Sequence, residues 1–194
     1  AWLSLPVRLH DLKSMQTQFP VGAFEFHLSF SEVLSNIDIS EIDASNRYSI
    51  HLPDYINSTQ LMDPFCPDVQ QRTRSMRILE RTVELAERLQ ELTKTNVPVV
   101  GSFSVVHRSR EEFFEKHADL LKQYQARGVT IMLQWLPPIA WYFGGSVHLH
   151  AMNELRDVEL LKLHKLPLCL DMCHMIMGRN CYGFSATDLM QDLT

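Results

Sequence analysis

Apolar and polar residues alternate with period two in the first third of the chain. Between Ala23 and Ser29, Phe24, Phe26 and Leu28 alternate with Glu25, His27 and Ser29. Between Arg47 and Leu52, Tyr48, Ile50 and Leu52 alternate with Ser49 and His51. Period two puts unlike residues on the two faces of a strand, so both stretches are predicted strands with one apolar and one polar face. A Val-rich third strand is predicted from Val97 to Val106, ending at His107. A fourth runs from Val129 to Trp135, with Thr130, Met132 and Gln134 on one parity, and a fifth from Leu166 to Asp171.

The period changes to 3.6 between these stretches. Val69, Met76, Leu79, Val83, Ala86 and Leu89 mark a long helix through Leu92, opened by Pro67-Asp68. Ser109 and Glu112 have capping-box spacing ahead of a second helix, which Gly128 stops. Asn153 is placed to cap a third helix through Leu163, and Ser185 with Asp188 starts a last one toward Thr194. A further helix is predicted from Val7 to Met15.

Strands alternating with helices imply parallel pairing with crossover connections. The chain lacks the glycine fingerprints of a nucleotide-binding open sheet after its first strand. Polar residues instead gather at strand ends: His27, His51, His107, Gln134, Asp171 and His174. That is how a (β/α) barrel arms its mouth. A full barrel takes about 250 residues, and 194 are present. The expectation is one partial (β/α) TIM-type barrel domain over residues 1–194. Its first barrel strand would lie near residues 23–29, with five of eight strands in hand. A chain that starts without Met and stops in mid-pattern reads as a fragment, or as one closed by a second chain or a fused domain.

The formal net charge of -5 and the absence of a basic run argue against nucleic-acid or anionic-membrane binding. No apolar stretch approaches the roughly 20 residues of a membrane span. Cys66, Cys169, Cys173 and Cys181 form no paired motif, so reduced thiols in a cytoplasmic setting are expected.

The run Leu170-Asp171-Met172-Cys173-His174 carries the sharpest chemistry. A carboxylate and an imidazole three residues apart at a strand end can turn toward one metal ion or one sugar hydroxyl. Alternatively, Asp171 caps the following turn and His174 bonds a backbone group. Glu25 shares the polar parity of its strand with His27, and a buried carboxylate there needs a partner. Between Trp135 and His150, aromatics including Trp141 combine with Pro137-Pro138 and Gly144-Gly145, a composition suited to stacking on sugar faces or on the barrel rim.

Phe24-Glu25-Phe26-His27, then His51-Leu52-Pro53-Asp54-Tyr55, then Leu170-Asp171-Met172-Cys173-His174 resemble the xylose isomerase-like barrels. These include sugar and sugar-phosphate isomerases and epimerases and the endonuclease IV type of repair nuclease. The stretch from Leu136 to Gly145 resembles the isomerase-like domain appended to some sialic-acid-synthase-like proteins. The resemblance covers about residues 22–182. It implies a divalent metal (Mn, Zn or Mg) on Asp171 and His174, with His51 and His107 toward a small sugar or sugar phosphate; the residues themselves add Glu25, Gln134 and Trp141 as candidate sugar contacts. Gln134 stands where the family pattern has Glu, and the later-strand ligands have no counterpart here. The implied function is a sugar isomerase or epimerase-like domain, active or degenerate. The alternatives are a non-catalytic regulatory domain of a sialic-acid-synthase-like protein and an endonuclease IV-like nuclease.

Overall fold

A computed structural model describes residues 4–107 and 109–193. The elements in chain order are β1 (Leu5–Val7), a short 3-10 helix (Leu9–Asp11), α1 (Leu12–Gln18), β2 (Ala23–His27), α2 (Phe30–Leu34), β3 (Arg47–His51), α3 (Val69–Thr93), β4 (Val99–Gly101), α4 (Arg110–Ala126), β5 (Ile131–Gln134), β6 (Ile139–Tyr142), β7 (Gly145–His148), α5 (Leu155–His164), β8 (Leu168–Cys169), α6 (Met172–Tyr182) and α7 (Ala186–Asp192). Strands β1-β2-β3-β4-β5-β8 form one six-stranded parallel sheet, and β6-β7 is a separate antiparallel hairpin. The class is α/β with a TIM-barrel-like strand order, and the sheet is not closed among the described residues.

Period two decides the layers. Phe24 pairs with Tyr48, Phe26 with Ile50, Ile50 with Val99, and Val99 with Ile131. All are at most 2% exposed and face the helical layer. Helix α3 packs on β3 and β4, and α4 on β5. Each large side chain buried this way contributes about 1.5–3 kcal/mol. The opposite parity is polar: Glu25 lies beside Ser49, His27 beside His51, and Gln134 beside Cys169. This inner face ends at the tips of the strands.

Several boundaries differ from expectation, each for a local reason. The segment expected to be a helix from Val7 to Met15 is helical from Leu9, but Val7 ends β1, which pairs with β2 and precedes the strand expected to be first. The sheet therefore has six strands in place of five. Pro6 is tolerated there because β1 is an edge strand. Ser29 does not extend β2 but caps α2 in a reciprocal capping box with Glu32. The Val-rich stretch yields only three strand residues. Phe103, at φ 41, folds its ring back over Gly101, where an added Cβ would lie 2.3 Å from the ring. Asn153 does not cap α5, whose cap is Glu154. Its buried side-chain amide donates instead to the Leu149 carbonyl at 2.9 Å and anchors the hairpin.

The long helices form as predicted. Asp68 accepts from the Gln71 amide to start α3, and Ser109 from the Glu112 amide to start α4. Gly128, at φ 86, follows the α4 terminus. Helix α7 begins at the Ser185 cap, and Thr194 lies outside the described residues. No helix among the described residues is long and apolar enough to cross a membrane.

Candidate functional site at the strand ends

The parallel register brings the polar ends of four strands to one basin. Glu25 and His27 leave β2 two residues apart, and His27 Nε2 lies 2.7 Å from Glu25 Oε1. Ser49 on β3 donates to the other Glu25 oxygen at 3.1 Å. Burial pushes the Glu25 carboxyl up. The His27 hydrogen bond, the charges of His27 and His51, and the Ser49 hydroxyl outweigh it and hold the group below the ordinary carboxylate range. The rings of His27 and His51 stack at 4.8 Å, as the register of their strands requires.

From His51 the network crosses the sheet. His51 Nε2 lies 3.1 Å from Gln134 Oε1, and Gln134 Nε2 donates to Asp171 Oδ2 at 3.2 Å. Asp171 Oδ1 accepts from the backbone amides of Cys173 and His174, so the carboxylate caps α6 while its second oxygen takes the Gln134 amide. An anion at a helix N-terminus is favourable electrostatically. His174 Nδ1 bonds the Trp135 carbonyl at 2.9 Å and lies 3.3 Å from Asp171 Oδ2. The structure thus shows the second of the two roles expected for this pair: Asp171 caps the helix and His174 bonds a backbone carbonyl.

The basin encloses a cavity of about 630 Å³ lined in part by His27, His51, Gln134 and His174. That is within the roughly 300–1,000 Å³ of small-molecule pockets. One wall comes from the β3–α3 loop, with Asp54 and Tyr55, and another from Phe143 at the tip of the β6–β7 hairpin. Phe143 meets the Tyr55 ring edge-on at 5.1 Å.

Two candidates do not join this arrangement. Trp141 is 69% exposed, and the cavity is lined by its neighbour Phe143 instead. The two-residue turn Phe143-Gly144 shifts which aromatic points inward. His107 lies beyond the short β4, in the loop before α4, and bonds Asp63. It lines a different cavity.

Two residues enter that sequence reasoning does not select. Asp54 bonds Ser102 and lines the basin, and its place in the His51-Leu52-Pro53-Asp54 run is the signal that could mark it. Arg8 at the rim donates to the His27 carbonyl and lies 3.5 Å from Glu32. No pattern marks it, because the short β1 before it does not read as a strand.

The donor set at the basin does not complete a divalent-metal site. Among the described residues it gathers no three His, Cys, Asp or Glu donors within ligating reach of one another. Asp171 Oδ2 and the free His174 nitrogen are two donors, and the third neighbour, Gln134, offers only an amide. A neutral amide oxygen is a weaker partner for a divalent cation than a carboxylate. The described set that does meet this criterion is Asp63, Cys66 and His107, outside the basin.

No family model and no curated protein matches the chain. Solved structures do. The TTHB071 protein from Thermus thermophilus, soaked with ZnCl2, superposes with a TM-score of 0.56 at 18% identity, over 89% of this chain and 67% of that one. An L-ribulose 3-epimerase superposes with a TM-score of 0.55 at 16% identity, over 91% of this chain and 62% of that one. The likeness is one of fold. The chain spans about two thirds of the solved chains it matches, and a sugar epimerase is among the proteins that share its architecture.

Proposed function

We propose that the chain is a sugar isomerase or epimerase-like domain of the xylose isomerase-like type, binding a small sugar or sugar phosphate in the strand-end basin. One observation carries this reading. A hydrogen-bonded network from β2, β3, β5 and the β8–α6 junction presents His27, His51, Gln134 and His174 to one cavity of small-molecule size. Vicinal hydroxyls need alternating donors and acceptors, and His51, Gln134 and His174 line the cavity to supply them, with Asp171 holding Gln134 from behind. The fold shared with an L-ribulose 3-epimerase supports the substrate class. Exchange of a proton beside a carbonyl needs an ionised carboxylate, and the environment of Glu25 favours that form.

Calorimetric titration with pentoses, ketopentoses and their phosphates tests the proposal. Binding should weaken up to about tenfold in His51→Ala and in Gln134→Ala, the value of one or two hydrogen bonds. A folded protein that binds none of these sugars sinks it.

A second reading is favoured by Gln134 itself. An amide where a barrel isomerase of this type would carry a carboxylate fits a non-catalytic domain in a larger sialic-acid-synthase-like protein. Sugar binding without turnover, restored in part by Gln134→Glu, supports that reading.

A further inference from the structure

We propose that Asp63, Cys66 and His107 form a binding site for a zinc-type transition-metal ion, separate from the strand-end basin. The three ligand atoms come from two loops, β3–α3 and β4–α4, and lie within 4.8 Å of one another. Tetrahedral zinc with bonds of about 2.0–2.3 Å places its ligands roughly 3.3–3.8 Å apart. Binding would open the Asp63–His107 hydrogen bond to that spacing and draw the Cys66 sulfur in toward the same ion.

The first two ligands are firmly held. Asp63 is 2% exposed, and its backbone amide donates to the buried Ser75 hydroxyl of α3 at 2.9 Å. Its Oδ1 accepts from the Phe65 amide at 2.9 Å, which leaves Oδ2 toward His107 Nε2. Cys66 is 5% exposed, and Arg72 fixes its carbonyl with a 2.6 Å hydrogen bond. Outer hydrogen bonds that orient ligands in this way are a regular feature of metal sites. The His107 side chain is about one-third exposed and is free to adjust.

The donor chemistry selects the ion. A thiolate, an imidazole and a carboxylate together suit zinc or cobalt and not magnesium or calcium, which take oxygen ligands. Cysteine binds such an ion as the thiolate, so binding at Cys66 releases the thiol proton to solvent. His107 also lines a cavity of about 310 Å³ flanked by Arg72 and Lys116. The fourth corner of the tetrahedron is therefore available to water or to an anionic group. The two cavities share no lining residue, so this site stands or falls independently of the sugar reading.

Cobalt titration of the full chain, followed by zinc displacement, is the test. The expected result is one equivalent of Co²⁺, with the near-ultraviolet band of a cobalt–thiolate bond and the visible bands of tetrahedral cobalt, both lost on adding zinc. Cys66→Ser should abolish the thiolate band. His107→Ala, at a more exposed position where folding defects are less of a concern, should lower affinity by about 100-fold or more, beyond the loss of an outer-shell partner. Asp171→Asn should leave the spectrum unchanged. A folded protein that binds no cobalt overturns the proposal. So does a thiolate band that survives in folded Cys66→Ser, or unchanged affinity in His107→Ala.

Discussion

Gln134 is the residue on which the chemistry of the basin turns. It accepts from one side and donates to the other, joining His51 to Asp171 across three strands. Gln134→Glu would set a second carboxylate against Asp171 Oδ2. Like charges that close repel, and one of them must hold a proton or a cation. The melting temperature of Q134E should therefore fall in metal-free buffer and recover on adding Mn²⁺, while wild type moves less. Differential scanning calorimetry with and without metal measures both. A second residue-scale effect lies in α4. Burial lowers the His117 imidazole to about 4, only partly offset by its hydrogen bond to the Phe113 carbonyl. The unfolded chain takes up a proton near the ordinary value of about 6.5, and the fold refuses it until about pH 4. Stability is full above the upper value and falls as pH drops through this window, by about 3 kcal/mol in all. Urea midpoints at pH 7 and pH 4.5 should converge in His117→Leu. The sequence does not show this, because His117 reads as one more polar residue of a helix; its ring lies among Phe65, Phe103 and Phe113.

At the scale of elements, α6 ties structure to site. Its first turn hangs on Asp171, and its middle passes close to the hairpin anchor. A Cβ on Gly178 would meet the Asn153 carbonyl and the Phe184 ring at 3.2 Å each. Gly178→Ala should therefore cost about 1–3 kcal/mol despite the better helix propensity of Ala. Asp171→Ala should cost about 1 kcal/mol through the lost cap, whereas Asp171→Asn keeps the cap and removes only the charge. Chemical denaturation separates the two variants. If D171A and D171N prove equally stable, Asp171 is not holding the helix. The sequence does not announce this helix. Its Asp-x-x-His spacing is visible, but the stretch after it is Met-rich and carries no strong period, so the motif reads as a strand end. By contrast, α3 and α4 are legible because both period and caps agree. The β2 and β3 pattern is legible because a buried outer face and a polar inner face leave opposite parities unmistakable.

For the whole molecule, the sheet order makes a prediction about its own stability. Strands β3 and β4 are central, β1 and β8 are edges, and β8 has only two residues in register. Amide exchange should be slowest in β3, β4 and the buried face of α3, and fastest in β1, β8 and α7. Mass-resolved exchange reads this directly. Comparable protection in β8 and β3 would contradict the order. The parallel architecture follows from strand–helix alternation alone. The sixth strand does not, since three residues with a proline carry too little pattern to be seen. The basin is half legible: parity points Glu25, His51 and Gln134 the same way. The true place of His107 depends on two loops meeting at Asp63, and pairing across 44 residues leaves no local trace.

The hairpin turn Phe143-Gly144 has positive φ at both residues, 53 and 79. Asn-Gly would fill such a turn at less strain, since a bulky side chain there costs about 1–2 kcal/mol. Phe143→Asn should thus steady the hairpin and yet leave the rim bare. A tight pivot carrying an aromatic paddle gives the entrance a hydrophobic doorpost. If the basin holds a sugar as proposed, that ring is placed to meet the sugar's C–H face.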